Sequence, residues 1–470
     1  MHFSTVALAS SLLISQSARA IQLDANDAAS VQSAAKTVAG NIMDLYRTKH
    51  DPDDGDGVFP SPYYWWESGA VWDAMINYYY LTGDSQYNGQ VTQNLLAQVG
   101  SNENYMPPNQ TKSEGNDDQA FWALAAMSAA EYGLPNSTSH NAWVELAQTV
   151  FNTQADRWDA DTCFGGLRWQ VFTFNNGYNY KNSLSNGMFF QLAARLGQYT
   201  GNNRYAGWAE SVFSWMQSTE LISPDWAVWD GADVTEDCSS PNHMQWSANA
   251  GALLYGSAVM YNLTNGNSTW KDRVQNLLKG TSVFTITNSS TIYEVACESV
   301  GTCDADQIAF KGLFARDLAQ TAKWAPFTEN TITPILKASA NGAAAACSGG
   351  SSNDCGLDWT KGKYDGKTGL SQELAALHVF QANLVKGSGD IDSSTNPTAA
   401  KPAASGPTGS SSSNSTSNPS SPGSGTGSGT SSGAPPSGSS PAPGAGSVLS
   451  IKMSTLVGLL LGVIGWHVVS

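Results

Sequence analysis

Two neighbouring carboxylates, Asp117 and Asp118, precede an apolar segment of this 470-residue chain. The segment contains Phe121 and Trp122, continues with Leu, Ala and Met, and stops at Gly133. This spacing predicts a helix whose first turn carries both acids. Paired carboxylates cleave most glycosidic bonds. Adjacent side chains at a helix start have Cβ atoms about 5–6 Å apart, which suits the carboxyl separation of about 5–5.5 Å in a retaining glycosidase.

The same two acids have a structural alternative, which is helix capping. Asn116 is a good N-cap, and Gln119 would complete a capping box. Acids in a first turn also interact favourably with the helix dipole. However, Phe121 and the small residues after it predict a buried helix that opens on a cleft. There the helix terminus and nearby positive groups would separate the two pKa values, as acid and nucleophile roles require.

The elements that must position these acids are predicted to be long helices. Apolar residues recur at helical spacing over residues 31–46 and 70–81, and strand-like alternation is scarce. A motif of Tyr, then Gly, then Asp or Asn recurs at predicted helix ends, where Gly suits the left-handed C′ position and Asp or Asn the next N-cap. Its copies lie at residues 80–84, 132–136, 199–202 and 261–267. They are about 50–70 residues apart, which corresponds to about one helical hairpin each.

The globular region, residues 21–387, has room for about six such hairpins. Six hairpins that close into a ring form an all-α (α/α)6 toroid. An open solenoid would need polar capping hairpins at its ends, and the sequence shows none. Loops between inner and outer helices would then build a cleft on one face. Clusters of Tyr and Trp in such loops are predicted sugar platforms, and core packing is the alternative for each of them.

The two ends of the chain predict export to the cell surface. Residues 1–20 are typical of a secretory signal peptide. Residues 388–446 are almost wholly Ser, Gly, Pro, Thr and Ala, which predicts a disordered stalk. Residues 447–470 hold a short apolar tail, which predicts a removed glycosylphosphatidylinositol (GPI) anchor signal with attachment at Gly444. A membrane span is the alternative, but the tail is shorter than the roughly 18–20 apolar residues that cross a bilayer.

The expected location is therefore the outer face of the plasma membrane, the cell wall, or both, and other sequence features agree with export. Six cysteines predict three disulfides among fifteen possible pairings. Cys297–Cys303 and Cys347–Cys355 are favoured because they close short loops, and this leaves Cys163–Cys238 as the third pair. The pairing is a hypothesis. N-glycosylation sequons lie at Asn109, Asn136, Asn262, Asn267, Asn288 and Asn414.

The charge of the chain restricts its partners. A formal net charge of −16 disfavours nucleic acid and anionic membrane surfaces.

The acidic run at residues 51–57 resembles a calcium loop, but Gly55 stands where a ligand is required and no Glu closes the loop. No Cys and His spacing suits a metal, and we expect no metal, no cofactor and a monomer. Two other acid pairs, Glu236–Asp237 and Asp304 with Asp306, lie in polar loops beside cysteines and are predicted not to be catalytic.

Several short motifs occur in order over most of residues 30–325. They are Tyr-Trp-Trp-Glu-Ser-Gly-Ala at 64–70, Leu-Thr-Gly-Asp at 81–84, Gly-Asn-Asp-Asp-Gln at 115–119, Tyr-Asn-Tyr-Lys-Asn at 178–182 with Asn-Gly at 186–187, Gln-Trp-Ser-Ala-Asn-Ala-Gly at 245–251, and Phe-Lys-Gly at 310–312. In these motifs the chain resembles glycoside hydrolase family 76, endo-α-1,6-mannanases of (α/α)6 fold. It is especially similar to the fungal GPI-anchored Dfg and Dcw branch, which is assigned to cell-wall biogenesis. Ala248 is a departure, since the family usually has Tyr there.

The resemblance implies a retaining mechanism in which Asp117 is the nucleophile and Asp118 the general acid/base. The fungal branch implies a transglycosidase that cuts the mannose core of GPI glycans and passes the attached protein to wall β-glucan. Two alternatives are endo-hydrolysis of α-1,6-mannan and a non-catalytic role in glycan binding. All three imply a mannose-containing glycan as partner.

Polar and aromatic residues near these motifs are the predicted glycan contacts. For Lys181, a phosphate substituent and an ordinary surface position are alternatives to a sugar hydroxyl. The predicted contacts are Trp65, Trp66, Asn116, Asn175, Asn176, Tyr178, Tyr180, Lys181, Trp229, Asp230, His243, Gln245, Trp246, Asp306, Gln307 and Lys311.

Overall fold

The structure is a computed structural model that describes residues 20–50, 55–110 and 113–386. The predicted signal peptide, most of the acidic run at 51–57, the stalk, the sequon at Asn414 and the anchor signal with Gly444 lie outside the described residues. Within the described part, no helix is both long and apolar enough to cross a membrane. No cluster of His, Cys, Asp and Glu in these residues has the arrangement of a metal site.

Twelve α-helices make up most of the described chain. They are α1 Ala28–Lys49, α2 Trp65–Thr82, α3 Asn88–Ala97, α4 Asn116–Glu131, α5 Trp143–Asp156, α6 Ser183–Thr200, α7 Asn203–Ser218, α8 Ser247–Leu263, α9 Ser268–Gly280, α10 Ala305–Trp324, α11 Glu329–Ala346 and α12 Leu370–Ala382. The predicted helices at 31–46 and 70–81 are α1 and α2, and α2 begins five residues earlier than predicted. Its first turn is fixed because Glu67 Oε2 accepts a hydrogen bond from the backbone N–H of Tyr64 at 2.8 Å.

The even-numbered helices form a closed inner ring. Each packs against the next, from α2 through α4, α6, α8 and α10 to α12, and α12 packs against α2. The odd-numbered helices lie outside this ring. The fold is therefore the (α/α)6 toroid that the repeats predicted, and no open solenoid end is present among the described helices.

The sequence distinguishes the inner helices from the outer ones. Every residue of α8 from Ser247 to Met260 is buried, so this helix is apolar or small on all sides. In α9 only Trp270, Arg273, Val274 and Leu277 are buried, which gives one buried face and one solvated face. A helix that is apolar all round belongs inside, and an amphipathic one covers it.

The recurring motif joins four of the inner helices, α2, α4, α6 and α8, to the outer helices that follow them. Gly83 and Gly201 end α2 and α6 in the left-handed conformation, with φ of 75° and 69°. Asn202 and Asn267 then cap α7 and α9, because their side chains accept backbone N–H groups of the first turn. These tight turns close one face of the ring, and the longer loops that lead into the inner helices occupy the other face.

Two short antiparallel ribbons complete the domain. Strand β1, Tyr180–Asn182, pairs with β2, Gly231–Asp233, and β3, Cys347–Gly349, pairs with β4, Asp354–Cys355. The structure joins the cysteines in the hypothesised pairs, Cys163–Cys238, Cys297–Cys303 and Cys347–Cys355. The five sequon asparagines among the described residues are all solvent-exposed: Asn109, Asn136, Asn262, Asn267 and Asn288.

Candidate active site

An open cleft of about 530 Å³ lies on the face where the inner helices begin. The first turns of five inner helices line it. Trp66 comes from α2, Asp117 from α4, Leu184 from α6, Asn249 from α8 and Asp306 from α10. The positive ends of several helix dipoles therefore converge on this cleft and favour negative charge there.

Asp117 and Asp118 lie together in the first turn of α4, but the cap of this helix differs from the prediction. The N-cap is Gly115, and Asp118 Oδ2 accepts the N–H of Gly115 at 2.7 Å. Asn116 is instead tied to the neighbouring loop, because its Nδ2 donates to the carbonyl of Arg168 at 2.8 Å. Gln119 donates to the carbonyl of Asn104 at 2.7 Å and takes no part in the cap. Asp118 therefore both caps α4 and lines the cleft.

Gly115 is required by the position of the two carboxylates. A Cβ atom built on this residue would overlap Asp117 Oδ1 and would lie 3.0 Å from Asp118 Oδ2. Backbone bonds also fix the turn, since the N–H of Asn116 donates to the carbonyl of Trp169 at 2.8 Å. The glycine of the Gly-Asn-Asp-Asp-Gln motif therefore provides space for the acid pair.

The β1–β2 ribbon brings a hydrogen-bond donor to Asp117. Asn182 is the last residue of β1 and the N-cap of α6, and its Oδ1 accepts the N–H of Ser185 at 3.2 Å. Its Nδ2 donates to Asp117 Oδ2 at 2.8 Å. The other Asp117 oxygen, Oδ1, accepts the backbone N–H of Asp118 at 3.0 Å. Both oxygens of Asp117 thus accept hydrogen bonds, which favours the ionised form.

The environments of the two acids separate their protonation behaviour. Burial raises the pKa of Asp117, and the hydrogen bonds from Asn182 and Asp118 oppose this rise. Burial also raises the pKa of Asp118 well above its ordinary value, and the neighbouring Asp117 charge raises it further. When one proton is shared by the pair, Asp118 is therefore the site that holds it.

Three more carboxyl groups line the same cleft. Burial raises the pKa of Asp306 to about 6, although its Oδ1 accepts the Trp66 indole N–H at 2.8 Å. Burial raises the pKa of Glu114 to about 9, partly offset by the nearby charge of Arg157. Burial also raises the pKa of Asp230, against the hydrogen bond it accepts from Tyr180 at 2.7 Å. Among the described residues that line the cleft, none is Lys or Arg.

Half of the predicted contacts reach this cleft or lie next to it. Asn175 donates to the lining residue Gln170 at 3.0 Å, and Tyr180 supports Asp230. The predicted residues that line the cleft are Trp65, Trp66, Asp117, Asp118, Asp230, Trp246, Asp306 and Gln307.

The loop aromatics that were predicted as sugar platforms differ in how much ring surface they expose. Trp65 and Trp66 are only 7% and 6% exposed, because they stack on Trp122 and Phe121. Core packing therefore accounts for most of their surface. The more exposed rings at the cleft belong to Tyr64 and Trp169, which are members of the predicted loop clusters at residues 63–66 and 169–174.

Two predicted contacts are corrected by the structure. Lys181 is fully buried, and its Nζ donates to the carbonyls of Asp159, Thr162 and Gly165 at 3.0, 2.7 and 2.6 Å. Lys311 is buried as well, and its Nζ contacts Glu298 Oε1 at 2.9 Å. Neither lysine lines the cleft, because each ammonium group is bonded to acceptors that come from other segments of the chain. Both were predicted from sequence proximity, which does not show the direction of a side chain.

The remaining predicted contacts lie outside the lining residues. Asn116 is buried beneath the cleft floor. The Tyr178 ring packs on the Arg168 guanidinium at 4.5 Å, and Trp229 stacks on His243 at 4.5 Å. Two others, Asn176 and Gln245, are absent from the lining set.

The structure also brings to the cleft residues that were not named individually as predicted glycan contacts. Glu114 and Phe121 flank the acid pair in sequence, and Asn182 and Asn249 fall inside quoted motifs, so a signal was present for these four. Tyr64 and Phe310 also fall inside quoted motifs, and Trp169 belongs to a predicted aromatic cluster. Leu184 lies in the first turn of α6, and Gln110, Ser113 and Gln170 come from loops whose course the sequence did not predict. The additional lining residues are Tyr64, Gln110, Ser113, Glu114, Phe121, Trp169, Gln170, Asn182, Leu184, Asn249 and Phe310.

The sequence model of glycosyl hydrolase family 76 matches residues 30–395. The chain belongs to this family. Family membership agrees with the helical toroid and with a cleft that holds adjacent carboxyl groups, and it makes the protein a glycoside hydrolase-like enzyme. The resemblance to family 76 is therefore confirmed.

Curated relatives from fungi are similar over most of the chain. The mannan endo-1,6-alpha-mannosidase DCW1 of Eremothecium gossypii is 44% identical over 375 residues, which cover 78% of this chain and 82% of that protein. The mannan endo-1,6-alpha-mannosidase DFG5 of Saccharomyces cerevisiae is 41% identical over 371 residues, which cover 78% of this chain and 80% of that protein.

Solved structures of family 76 have the same fold. The Dfg5 protein of Chaetomium thermophilum, in complex with glucosamine, matches with a TM-score of 0.73 and 39% identity, over 77% of this chain and 92% of that one. An inactive variant of the α-1,6-mannanase of Salegentibacter sp. HEL1_6, in complex with α-1,6-mannotetrose, matches with a TM-score of 0.61 and 18% identity, over 75% and 98%.

Proposed function

We propose that this protein is a retaining α-mannoside-cleaving transglycosidase of the fungal cell surface, which acts on the mannose core of GPI glycans. The observation that carries the proposal is the pair Asp117 and Asp118 in the lining of an open cleft, with environments that favour the proton on Asp118. A retaining glycosidase needs one ionised and one protonated carboxyl group close together.

In the first step, an Asp117 carboxylate oxygen attacks the anomeric carbon while the glycosidic bond breaks. The proton of Asp118 passes to the departing glycosidic oxygen, and the donor sugar is left as an ester of Asp117. The Asn182 amide and the Asp118 N–H keep Asp117 ionised and oriented before the attack. The raised pKa of Asp118 keeps its proton available at near-neutral pH.

In the second step, Asp118 has become a carboxylate and accepts a proton from the incoming hydroxyl group. That oxygen displaces Asp117 from the anomeric carbon and forms the product. Water as acceptor gives hydrolysis, and a glucan hydroxyl gives transfer. The two outcomes differ only in which molecule occupies the acceptor side of the cleft.

The charge of the cleft supports a GPI glycan as donor. Five carboxyl groups line it, of which Asp118 and Glu114 hold protons, and its described lining has no Lys or Arg, so that the remaining charge is negative. Such a site favours a cationic group over an anionic one. In the proposed donor an amino sugar such as glucosamine would carry such a cationic group, whereas α-1,6-mannan is neutral. The structure of Dfg5 from Chaetomium thermophilum in complex with glucosamine is consistent with this choice.

The proposed location is the outer membrane face or the cell wall, reached as a GPI-anchored glycoprotein. Three disulfides and five exposed sequons support export. The anchor at Gly444 and the monomeric state remain parts of the proposal.

Hydrolysis of α-1,6-mannan is the second candidate, and the names of the curated relatives favour it. The two are separated by mass spectrometry of products. The full chain would be incubated with a GPI-core glycan or an α-1,6-mannoside, together with a β-1,6-glucan oligosaccharide. We expect a glycan–glucan conjugate that is absent with Asp117→Asn and Asp118→Asn. Shortened glycan alone would support the hydrolase, and binding without turnover would refute both catalytic candidates in favour of a glycan-binding protein.

A further inference from the structure

Glu114 is a buried carboxyl group that the mechanism above does not use. It precedes Asp117 by three residues, lines the same cleft and is only 2% exposed. Neither Oε1 nor Oε2 has a hydrogen-bond partner among the described residues. Buried polar groups are almost always paired, so an unpaired carboxyl group at the wall of a binding cleft indicates a missing partner.

The position of Glu114 is fixed by the neighbouring loop. Its carbonyl accepts the N–H of Val171 at 3.2 Å, and Gly115 forms a β-bridge with Gln170. This pairing places Glu114 beside Gln170, and both line the cleft together with Trp169. The Trp169 ring is 38% exposed, so it presents a face to the same space. A polar anchor and an aromatic face in one wall are the usual components of a sugar subsite.

An ion pair inside the protein does not satisfy Glu114. Arg157 is the nearby cation, but it forms no ion pair with Glu114, and its guanidinium group donates to Gln119 Oε1. Because burial raises the pKa of Glu114 to about 9, the group is protonated at neutral pH. A protonated carboxyl group offers one donor and one acceptor. That combination matches two neighbouring sugar hydroxyls, of which one accepts and one donates.

We propose that Glu114 is the polar anchor of a sugar subsite beside the catalytic pair, where it hydrogen-bonds two neighbouring hydroxyls of a sugar ring that lies on Trp169. The subsite deepens the proposed function, on which it rests. Glu114 thereby determines which glycans are held beside Asp117, and it takes no part in the bond-breaking steps.

The test measures glycan binding in the Asp117→Asn parent, in which turnover is blocked. α-1,6-Mannotetraose would be titrated by calorimetry into the parent and into parents that also carry Glu114→Ala or Glu114→Gln. We expect Glu114→Ala to weaken binding by about 10- to 100-fold, because two hydrogen bonds are lost. Glu114→Gln should stay within about threefold of the parent, since an amide also offers one donor group and one acceptor. Asp272→Ala, which removes an exposed carboxyl group of the outer helix α9, is the control and should bind like the parent.

Each other outcome overturns the subsite. Equal binding by the parent and Glu114→Ala, whether or not the thermal midpoint falls, would leave Glu114 a purely structural residue. Equal losses in both Glu114 variants would indicate that a carboxylate charge is required, and would refute the hydroxyl pairing. Absence of binding in the Asp117→Asn parent, together with absence of turnover in the wild type, would refute the subsite and the proposed function together.

Discussion

The hydrogen bond from Asn182 to Asp117 allows a sharp test of the nucleophile assignment. Serine at position 182 can still cap α6 through its hydroxyl oxygen, but it is too short to donate to Asp117. Asn182→Ser therefore removes the 2.8 Å bond from Nδ2 to Asp117 Oδ2 and keeps the helix start. The variant separates support of the nucleophile from support of the fold.

The size of the effect follows from the burial of both partners. Asp117 is 5% exposed and Asn182 is 8% exposed, so water does not readily replace the lost donor. A hydrogen bond to a charged group contributes about 1.5–3 kcal/mol. Because about 1.4 kcal/mol is a factor of ten, kcat/KM should fall by about 10- to 150-fold at acidic pH. The donor stabilises the ionised form, so its removal raises the pKa of Asp117 and moves the acidic limb of the profile to higher pH.

The assay is the pH dependence of kcat/KM, which reports the ionisation of the free enzyme. The loss should shrink as the pH rises and Asp117 becomes ionised in the variant too. The thermal midpoint of Asn182→Ser should remain close to that of the wild type, whereas Asn182→Ala should also lose about 1 kcal/mol of stability with the cap. A pH profile of Asn182→Ser that superimposes on that of the wild type would show that Asp117 does not depend on this donor.

Three further predictions concern stability. Burial raises the pKa of Glu67 to about 7 from an ordinary 4.5, so between these pH values the native state binds a proton that the unfolded state has lost. The free energy of unfolding therefore falls as the pH rises through this range. Glu67→Gln should remove up to about 3 kcal/mol of this fall, measured by urea unfolding at pH 5 and pH 8. Lys181→Met should lower the free energy of unfolding by about 3–5 kcal/mol, because it removes three hydrogen bonds to backbone carbonyls and the ion pair with Asp159. Glycan affinity measured by calorimetry should stay the same, and a large affinity loss without destabilisation would restore the predicted contact. Replacing Cys163 and Cys238 by Ala should lower the free energy of unfolding by about 4 kcal/mol, since their disulfide closes a loop with a sequence separation of 75. Denaturant unfolding that showed no change would contradict the loop-entropy argument.

Much of the fold is predictable because its signals are local. Gly83 and Gly201 end helices in the left-handed conformation, as their place in the recurring motif predicted. The helical period and the count of hairpins then leave few ways to bury so many apolar helices. The exact start of α4 was not predictable, since the choice of Gly115 over Asn116 as N-cap depends on a loop from residue 168 onward that reaches back and binds Asn116.

The candidate site was predicted best where sequence neighbours share a helix turn. Asp117 and Asp118 must lie close together in any helical first turn, and the structure places them in the cleft. The direction of Lys181 was not predictable, because its three acceptors come from a loop about twenty residues earlier. Glu114 was missed because an unpaired buried carboxyl group is recognised only when its surroundings are known.

Closure of the ring by α12 has a consequence for how the protein is made. Gln381 of α12 donates to the carbonyl of Ala74 in α2 at 2.9 Å, across 307 positions of the chain. Contacts of such long range form slowly, and the seam between α2 and α10 stays open until the last helix has been synthesised. Glycans and the earlier disulfides are therefore expected to be added to an unclosed ring during export. The ring around the candidate cleft is complete only when α12 arrives, although α12 contributes no described residue to the lining of the cleft.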